Sequence, residues 1–365
     1  MKPIKEMMQP HIVSLPGYEF EDPMEVQAQK LGVSPEHVLR MNLNENPYGP
    51  SPRVAEALAG FKDYNRYTDP IQREARAALS EYVGFGPEHI VAGAGADELI
   101  DLSMRMFLDL GDSVINCTPT FGMYAFNTRV CGGQVVTMPR DADFDVDVEA
   151  VAEAARNGAK MLIFASPNNP TGNLTSGERV RRLLELEIIV IVDETYHEFS
   201  GRSIVSLVRE YPNLIVLRSF SKWAGLAGLR VGFGVMDPEV AERMLTMKPP
   251  YNLSKAAELA MLASLDDREF LLAKAHSIAA ERDRMRAMLS KVPGVKPWPG
   301  HANFVLCQLP EGMGKRVYDA LLRKGIFIRR YSDSRLRDFI RITAGVPEHT
   351  DAVVKALQQV MEEAK

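Results

Sequence analysis

The segment Arg218-Ser219-Phe220-Ser221-Lys222-Trp223-Ala224-Gly225-Leu226-Ala227-Gly228-Leu229-Arg230 gathers one lysine, two serines and two arginines among small residues. A lysine amine can capture a carbonyl carbon covalently. Hydroxyls, an arginine fork and backbone made approachable by glycine suit a phosphate group. The same residue types also build ordinary solvated loops. The segment therefore has to be read with the other reactive positions.

A second cluster is Gly93-Ala94-Gly95-Ala96-Asp97-Glu98, between the apolar His89–Ala92 and the amphipathic Leu99–Leu108. A glycine turn at a helix start presents unpaired backbone N–H groups to an anion. Asp97 and Glu98 are expected to act as caps there, pointing away while the amides point in. Glu98 occupies the last glycine position of G-x-G-x-x-G, so a dinucleotide fingerprint is incomplete. A third position is Asp193, which ends the run Ile188-Ile189-Val190-Ile191-Val192. A carboxylate leaving a strand either caps the next segment or serves as counter-ion to a buried cation. Phe121, Asn169 and Tyr196 add an aromatic face, an amide and a phenol. A flat, cationic, phosphorylated heteroaromatic aldehyde would use all of these groups. Pyridoxal 5′-phosphate is such a molecule, held by a Schiff-base lysine and an acid at its ring nitrogen.

Elements that bring these positions together are legible as alternating strands and helices. Strands are expected at His89–Ala92, Ser113–Cys117, Gln134–Thr137, Lys160–Ala165, Ile188–Val192, Leu214–Leu217 and Arg230–Val235, with helices between most of them. Near-continuous aliphatic strands imply a mostly parallel sheet covered by helices on both faces, an α/β fold. Ligands of such sheets sit at the carboxyl ends of the strands. After Pro249-Pro250-Tyr251 the pattern changes to long helices at Leu253–Leu265 and Asp267–Lys291, then a smaller α+β unit with strands at Asn303–Gln308, Ile326–Arg329 and Phe339–Thr343. The expected division is an arm at 1–42 that includes part of the small domain, a large domain at 43–250 and a small domain at 251–365.

Composition narrows the function classes. Of 365 residues, 46% are hydrophobic and 25% charged, as in soluble globular chains. A net charge of −5 with no basic run argues against nucleic-acid binding. Cys117, Cys131 and Cys307 are far apart, which suggests reduced thiols and a cytoplasmic setting. Seven histidines without an H-E-x-x-H pattern give no metal site. The segment after Met1–Glu6 lacks the apolar stretch of a signal peptide.

Taken together, Asn44-Glu45-Asn46-Pro47, Asn65-Arg66-Tyr67, Gly95-Ala96-Asp97-Glu98, Pro119-Thr120-Phe121, Ser166-Pro167-Asn168-Asn169-Pro170-Thr171-Gly172, Asp193-Glu194-Thr195-Tyr196, Ser221-Lys222 with Gly228-Leu229-Arg230, and Arg341-Ile342-Thr343 resemble the fold-type I, class I/II pyridoxal-phosphate aminotransferases. The similarity runs over nearly the whole chain and is greatest to the histidinol-phosphate branch. By that resemblance Lys222 carries the cofactor and shuttles the proton, while Asp193 pairs with the ring nitrogen. Asn169 and Tyr196 bond the phenolic oxygen. Gly95, Ala96, Asp97, Ser219, Ser221 and Arg230 hold the phosphate. Tyr67 reaches the phosphate of a neighbouring subunit, which implies a homodimer. Arg341 binds the substrate carboxylate, and Arg329, Tyr18 and Asn46 complete the substrate site. Phe121 stands where tyrosine is common, keeping the stacking face and losing a hydroxyl.

The implied reaction is transamination of L-histidinol phosphate with 2-oxoglutarate, in histidine biosynthesis. An aromatic amino-acid aminotransferase would share every cofactor residue. A threonine-phosphate decarboxylase is a lyase alternative on the same scaffold.

Overall fold

A computed structural model describes residues 1–17 and 22–363. Its strands are β1 (Leu39–Arg40), β2 (Ile90–Gly93), β3 (Ser113–Thr118), β4 (Gln134–Pro139), β5 (Ala159–Ala165), β6 (Ile189–Asp193), β7 (Leu214–Ser219), β8 (Gly232–Val235), β9 (Lys296–Pro297), β10 (Phe304–Gln308), β11 (Ile326–Phe327), β12 (Arg329–Arg330) and β13 (Phe339–Thr343). The central seven-stranded sheet has the order β2-β8-β7-β6-β5-β3-β4. Its neighbours run parallel from β4 through β7, and β8 is antiparallel to both β7 and β2.

Alternation along each strand assigns its side chains to opposite faces. Val190 and Val192 enter one hydrophobic core, and Ile191 enters the other. In β7, Leu214 and Val216 join the first core, while Ile215 and Leu217 join the second. Each such side chain, fully buried, is worth roughly 1.5–3 kcal/mol, so a one-residue slip of register would expose an entire face. The α/β arrangement with a mostly parallel, doubly covered sheet is thus dictated by aliphatic runs that have no polar side. Helices on the faces start where capping oxygens stand: Asp147, Ser176, Asp237 and Ser254 each accept from a backbone N–H of the first turn.

The same two-residue period decides what the strand ends offer. Asp193 follows Ile191 and Ser219 follows Leu217, so both point to the second-core face. Arg218, one residue earlier, points to the first-core face. There its guanidinium meets Glu194 at 3.0 and 3.1 Å, and both side chains are almost wholly buried. Ser203 Oγ donates to the same carboxylate at 2.7 Å, as does the Ile204 N–H. This pair cross-links the carboxyl ends of β6 and β7. Arg218 is therefore not one of the cations beside Lys222, as its place in the sequence suggested.

The remaining strands form smaller sheets. An antiparallel sheet of order β12-β13-β10-β9 is packed by helices Arg268–Leu289 and Met313–Arg323, on both of which Pro347–Glu363 lies, and β1 pairs in parallel with β11. The run expected as one strand at Ile326–Arg329 is split, because Ile326–Phe327 pairs with β1 and Arg329–Arg330 with β13. Helix Lys255–Asp266 packs on Pro52–Gly60 and Arg73–Val83. Two helices outside the periodicity reading, Pro52–Gly60 and Pro238–Met247, carry a Ser51 or Asp237 cap followed by proline at the first helical position. Among the described residues no helix is long and apolar enough to cross a membrane.

Arg218→Ala is expected to lower the unfolding free energy by about 3–5 kcal/mol, since it leaves the Glu194 carboxylate buried without a counter-charge. Urea unfolding of the cofactor-free protein measures this, and a loss under about 1 kcal/mol would contradict the assignment.

Candidate active site

The carboxyl ends of the parallel strands open into a cavity of about 810 Å³. Of the positions singled out in the sequence, Ala96, Asp97, Phe121, Asn169, Asp193, Tyr196, Ser219, Ser221, Lys222, Arg230, Arg329 and Arg341 line it. Gly95, Asn46 and Tyr67 do not, and Tyr18 lies outside the described residues.

Asp193 ends β6 at 6% exposure, between Ala165 of β5 and Leu217 of β7. One carboxylate oxygen accepts the Thr195 N–H at 2.9 Å, and the other accepts the Tyr124 hydroxyl at 2.7 Å. The capping and counter-ion readings of this residue are thus compatible, because the cap uses one oxygen. Burial pushes the Asp193 carboxyl above its usual range, against the hydrogen bonds from Thr195 and Tyr124 that lower it. A cation bound in the cavity would reverse that shift. Tyr124 was not singled out from sequence. It lies fully buried on the second-core face, and the Phe121 ring meets it edge-on with centroids 5.6 Å apart. It stands in the first turn of helix Met123–Val130, which starts two residues after Phe121.

The anion turn is built as the glycines implied, with a different use of its acids. Gly95 has φ +82°, and a Cβ there would stand 2.5 Å from the Arg230 guanidinium. Glycine thus lets the arginine close over the start of helix Ala96–Phe107. Asp97 does not point away: its carboxylate pairs with Arg230 at 2.8 Å. Glu98 does cap, taking the Ala94 N–H at 2.6 Å. Ser219 Oγ accepts the Ser221 N–H at 3.1 Å, which holds the segment leading to Lys222.

Lys222 Nζ donates to the Leu43 carbonyl at 2.9 Å. Burial, then the positive charges of Arg341 and Arg230, bring its pKa down to about 8, against the pull of Glu45 and Asp97. Half of its amine is then neutral at about pH 8, and the neutral amine is the form a nucleophile requires. The small residues after it serve close packing of the chain on itself. A Cβ at Gly225, whose φ is +68°, would lie 2.5 Å from the Gly49 carbonyl carbon.

Asn46 belongs to that packing. Its amide donates to the Trp223 carbonyl at 2.8 Å and accepts the Tyr48 N–H at 2.9 Å, so it steadies the lysine segment from outside the cavity. Asn44 takes the inward position at φ +54°, and its amide donates to the Tyr196 hydroxyl at 2.9 Å. Thr343 Oγ1 donates to the Asn44 side chain at 3.0 Å, and Asn303 donates to the Asn44 carbonyl at 2.9 Å. Both come from the smaller antiparallel sheet and its approach, so Asn44 ties that sheet to the cavity floor. Burial raises the Tyr196 phenol to about 12, which keeps it protonated.

Arg341 leaves β13 with 6% exposure, bonding Asn169 Oδ1 at 2.6 Å and the Asn42 carbonyl. Its Nε is buried without a partner among the described residues, as a site awaiting an anion would leave it. Tyr67 is 81% exposed and stacks on Tyr251 with centroids 4.2 Å apart. Among the described residues no cluster of His, Cys, Asp and Glu has metal-ligand geometry.

Residues 36–359 match the family described as Aminotransferase class I and II. The chain belongs to that family. This aminotransferase is 46% identical over 366 residues to the histidinol-phosphate aminotransferase of Roseiflexus castenholzii, covering 98% of this chain and 99% of the relative. It is 44% identical over 354 residues to the chloroplastic histidinol-phosphate aminotransferase of Nicotiana tabacum, covering 96% and 86%. Among solved structures, it is similar to the histidinol-phosphate aminotransferase from Sinorhizobium meliloti in complex with pyridoxal-5′-phosphate. The TM-score is 0.90 at 28% identity, with 98% of each chain covered.

The cavity fits such a cofactor on its own chemistry: a buried carboxylate for a ring cation, a glycine turn under an arginine for a phosphate, and a near-neutral lysine for an aldehyde. The rate at which the cofactor-free protein captures pyridoxal phosphate should rise with pH and level off above about 8, because the neutral amine is the nucleophile and the folded-state pKa is lowered. Stopped-flow absorbance measures it. A rate still climbing beyond about pH 10, the range of a free lysine, would contradict the tuning.

Proposed function

We propose that this aminotransferase moves the amino group of L-histidinol phosphate to 2-oxoglutarate, using pyridoxal phosphate, and yields imidazole acetol phosphate and L-glutamate. End-to-end similarity to histidinol-phosphate aminotransferases supports the substrate. The observation that carries the chemistry is one cavity holding the buried Asp193 carboxylate, the lowered Lys222 amine and the Gly95 turn under Arg230.

When bound, pyridoxal phosphate supplies an aldehyde carbon that takes the amino group and a ring that accepts the electron pair left by the departing proton. The chain does the rest. Lys222 would hold the aldehyde carbon, and its amine, once free, would carry the proton between the reacting carbons. Asp193, kept in place by Tyr124 and Thr195, holds the ring nitrogen protonated. Asn169 and Tyr196 bond the phenolic oxygen. The amides of Ala96 and Asp97, with Ser219, Ser221 and Arg230, would anchor the phosphate while Lys222 is released, and Gly95 gives Arg230 the room to close over it. Phe121 covers the ring face.

The second half-reaction needs a site that accepts a carboxylate where the first accepted a phosphate. Arg341 and Arg329 on the cavity wall offer guanidinium forks for both. The family resemblance adds Tyr18 to this group, and Asn46 acts behind Lys222. Exposed Tyr67, with Ile4, Met7, Met8, Ile12 and Val13 in the arm, supports a homodimer in which Tyr67 reaches the partner's cofactor phosphate. The division into arm 1–42, cofactor domain 43–250 and small domain 251–365 is supported by the separate sheets, although helix Lys255–Asp266 packs on the larger part. The three unpaired thiols suit the cytoplasm.

Histidinol phosphate, phenylalanine and threonine phosphate compared in parallel test the substrate. Histidinol phosphate is expected to lead phenylalanine in kcat/KM by about a hundredfold, since phenylalanine offers the guanidinium forks a singly charged carboxylate where histidinol phosphate offers a more highly charged phosphate with three acceptor oxygens. A phenylalanine preference, or CO2 release from threonine phosphate, would overturn the reading. Sedimentation at micromolar concentration is expected to return a dimer, and a monomer with full activity would remove the shared-site proposal.

A further inference from the structure

β2 is the outer strand of the central sheet, so one side of its backbone lacks a strand partner. Gln72 fills that place at Ala92. Its Oε1 accepts the Ala92 N–H at 3.0 Å, and its Nε2 donates to the Ala92 carbonyl at 2.9 Å. The same Nε2 lies 2.9 Å from Asn252 Oδ1. Asn252 Nδ2 in turn donates to Glu98 at 2.8 Å and to the Ala92 carbonyl at 3.1 Å. Glu98 then takes the Ala94 N–H. The Ala92 N–H and carbonyl at the entry of the glycine turn, and the Ala94 N–H at its bend, are thus held from behind by three side chains. Gln72 does this at φ +57° and 2% exposure, a backbone conformation that non-glycine residues rarely adopt.

The bracket sits on two stitched loops. Thr68 Oγ1 donates to the Leu253 carbonyl at 3.1 Å, and Lys248 Nζ donates to the Pro70 carbonyl at 2.8 Å. With the Tyr67–Tyr251 stack, these contacts join 67–72 to 248–253 as one body.

We propose that Gln72 and Asn252 are positioning residues for the cofactor phosphate, fixing the Gly93–Asp97 turn through Ala92 and Glu98 without touching the ligand. The proposal rests on the reading of that turn as the phosphate site. It separates two duties: Arg230 supplies charge from in front, and the bracket supplies geometry from behind. Truncating Gln72 frees the Ala92 N–H and weakens the hold on its carbonyl, and truncating Asn252 releases the Glu98 carboxylate that takes the Ala94 N–H; either lets the turn relax, weakening the hold on phosphate more than the chemistry at Lys222.

The test uses the full chain and its Gln72→Ala, Asn252→Ala and double variants. Pyridoxal phosphate affinity is measured by titrating the cofactor-free proteins, and the bound phosphate is observed by phosphorus NMR. Each single variant is expected to bind about tenfold more weakly and to shift the phosphorus resonance. The double variant should lose less than the product of the singles, since both act on one turn. Turnover at saturating cofactor should fall far less than affinity. Asn252 sits in a loop and is half-buried, so Asn252→Ala keeps the test open if Gln72→Ala fails to fold. Wild-type affinity and an unmoved resonance in Asn252→Ala would overturn the bracket alone. A wild-type protein with no bound phosphorus resonance would overturn the phosphate reading beneath it.

Discussion

A carboxylate buried at the end of a parallel strand is the constraint on which the cavity depends. Asp193 is removed from water, and its charged form is disfavoured unless something positive is brought to it. Hydrogen bonds from Thr195 and Tyr124 orient it and lower its pKa without neutralising it. At the next strand end, burial and two guanidinium groups disfavour the charged form of Lys222 as well. The protein thus keeps, in one cavity, an acid whose charge is disfavoured and an amine that gives up its proton more readily than a free lysine. A ring that is cationic at its nitrogen and electrophilic at its aldehyde relieves both.

The fold supplies this arrangement through a period of two. Strand residues divide between two cores, so Asp193 and Ser219 face the ligand side while Glu194 and Arg218 lock the same strand ends from the other. Adjacent residues consequently do opposite work. The smaller sheet closes the floor through Thr343 and Asn303 on Asn44, and the phenol of Tyr196 receives that connection. Arg341 arrives on the same sheet, so the guanidinium proposed to meet substrate is positioned by the element that also steadies Asn44 and bonds Asn169.

Much of this was legible in the sequence, for physical reasons. Aliphatic runs without a polar side can only be buried strands, so Asp193 and Ser219 fell at the sheet's carboxyl edge. Glycines before an amphipathic helix marked the anion turn. What was hidden depended on partners distant in the chain. Asn44 and Asn46 are chemically alike and two residues apart, and only packing against Tyr196 and Trp223 separates them. The split of Ile326–Arg330 is set by β1, whose two residues carry no strand signal. Gln72 gives no local hint that its side chain stands in for a strand. Arg218 is a different case: the alternation that aims Ser219 at the ligand also aims Arg218 away, and that signal was present.

The account turns on Lys222 being the residue that holds the cofactor. Borohydride reduction of the cofactor-loaded protein, followed by proteolysis and peptide mass analysis, tests this most directly. The structure predicts a single pyridoxyl label on Lys222, within the peptide that carries Ser219 and Ser221. A label on any other lysine, or no stable label on a protein that retains cofactor and turnover, would contradict it.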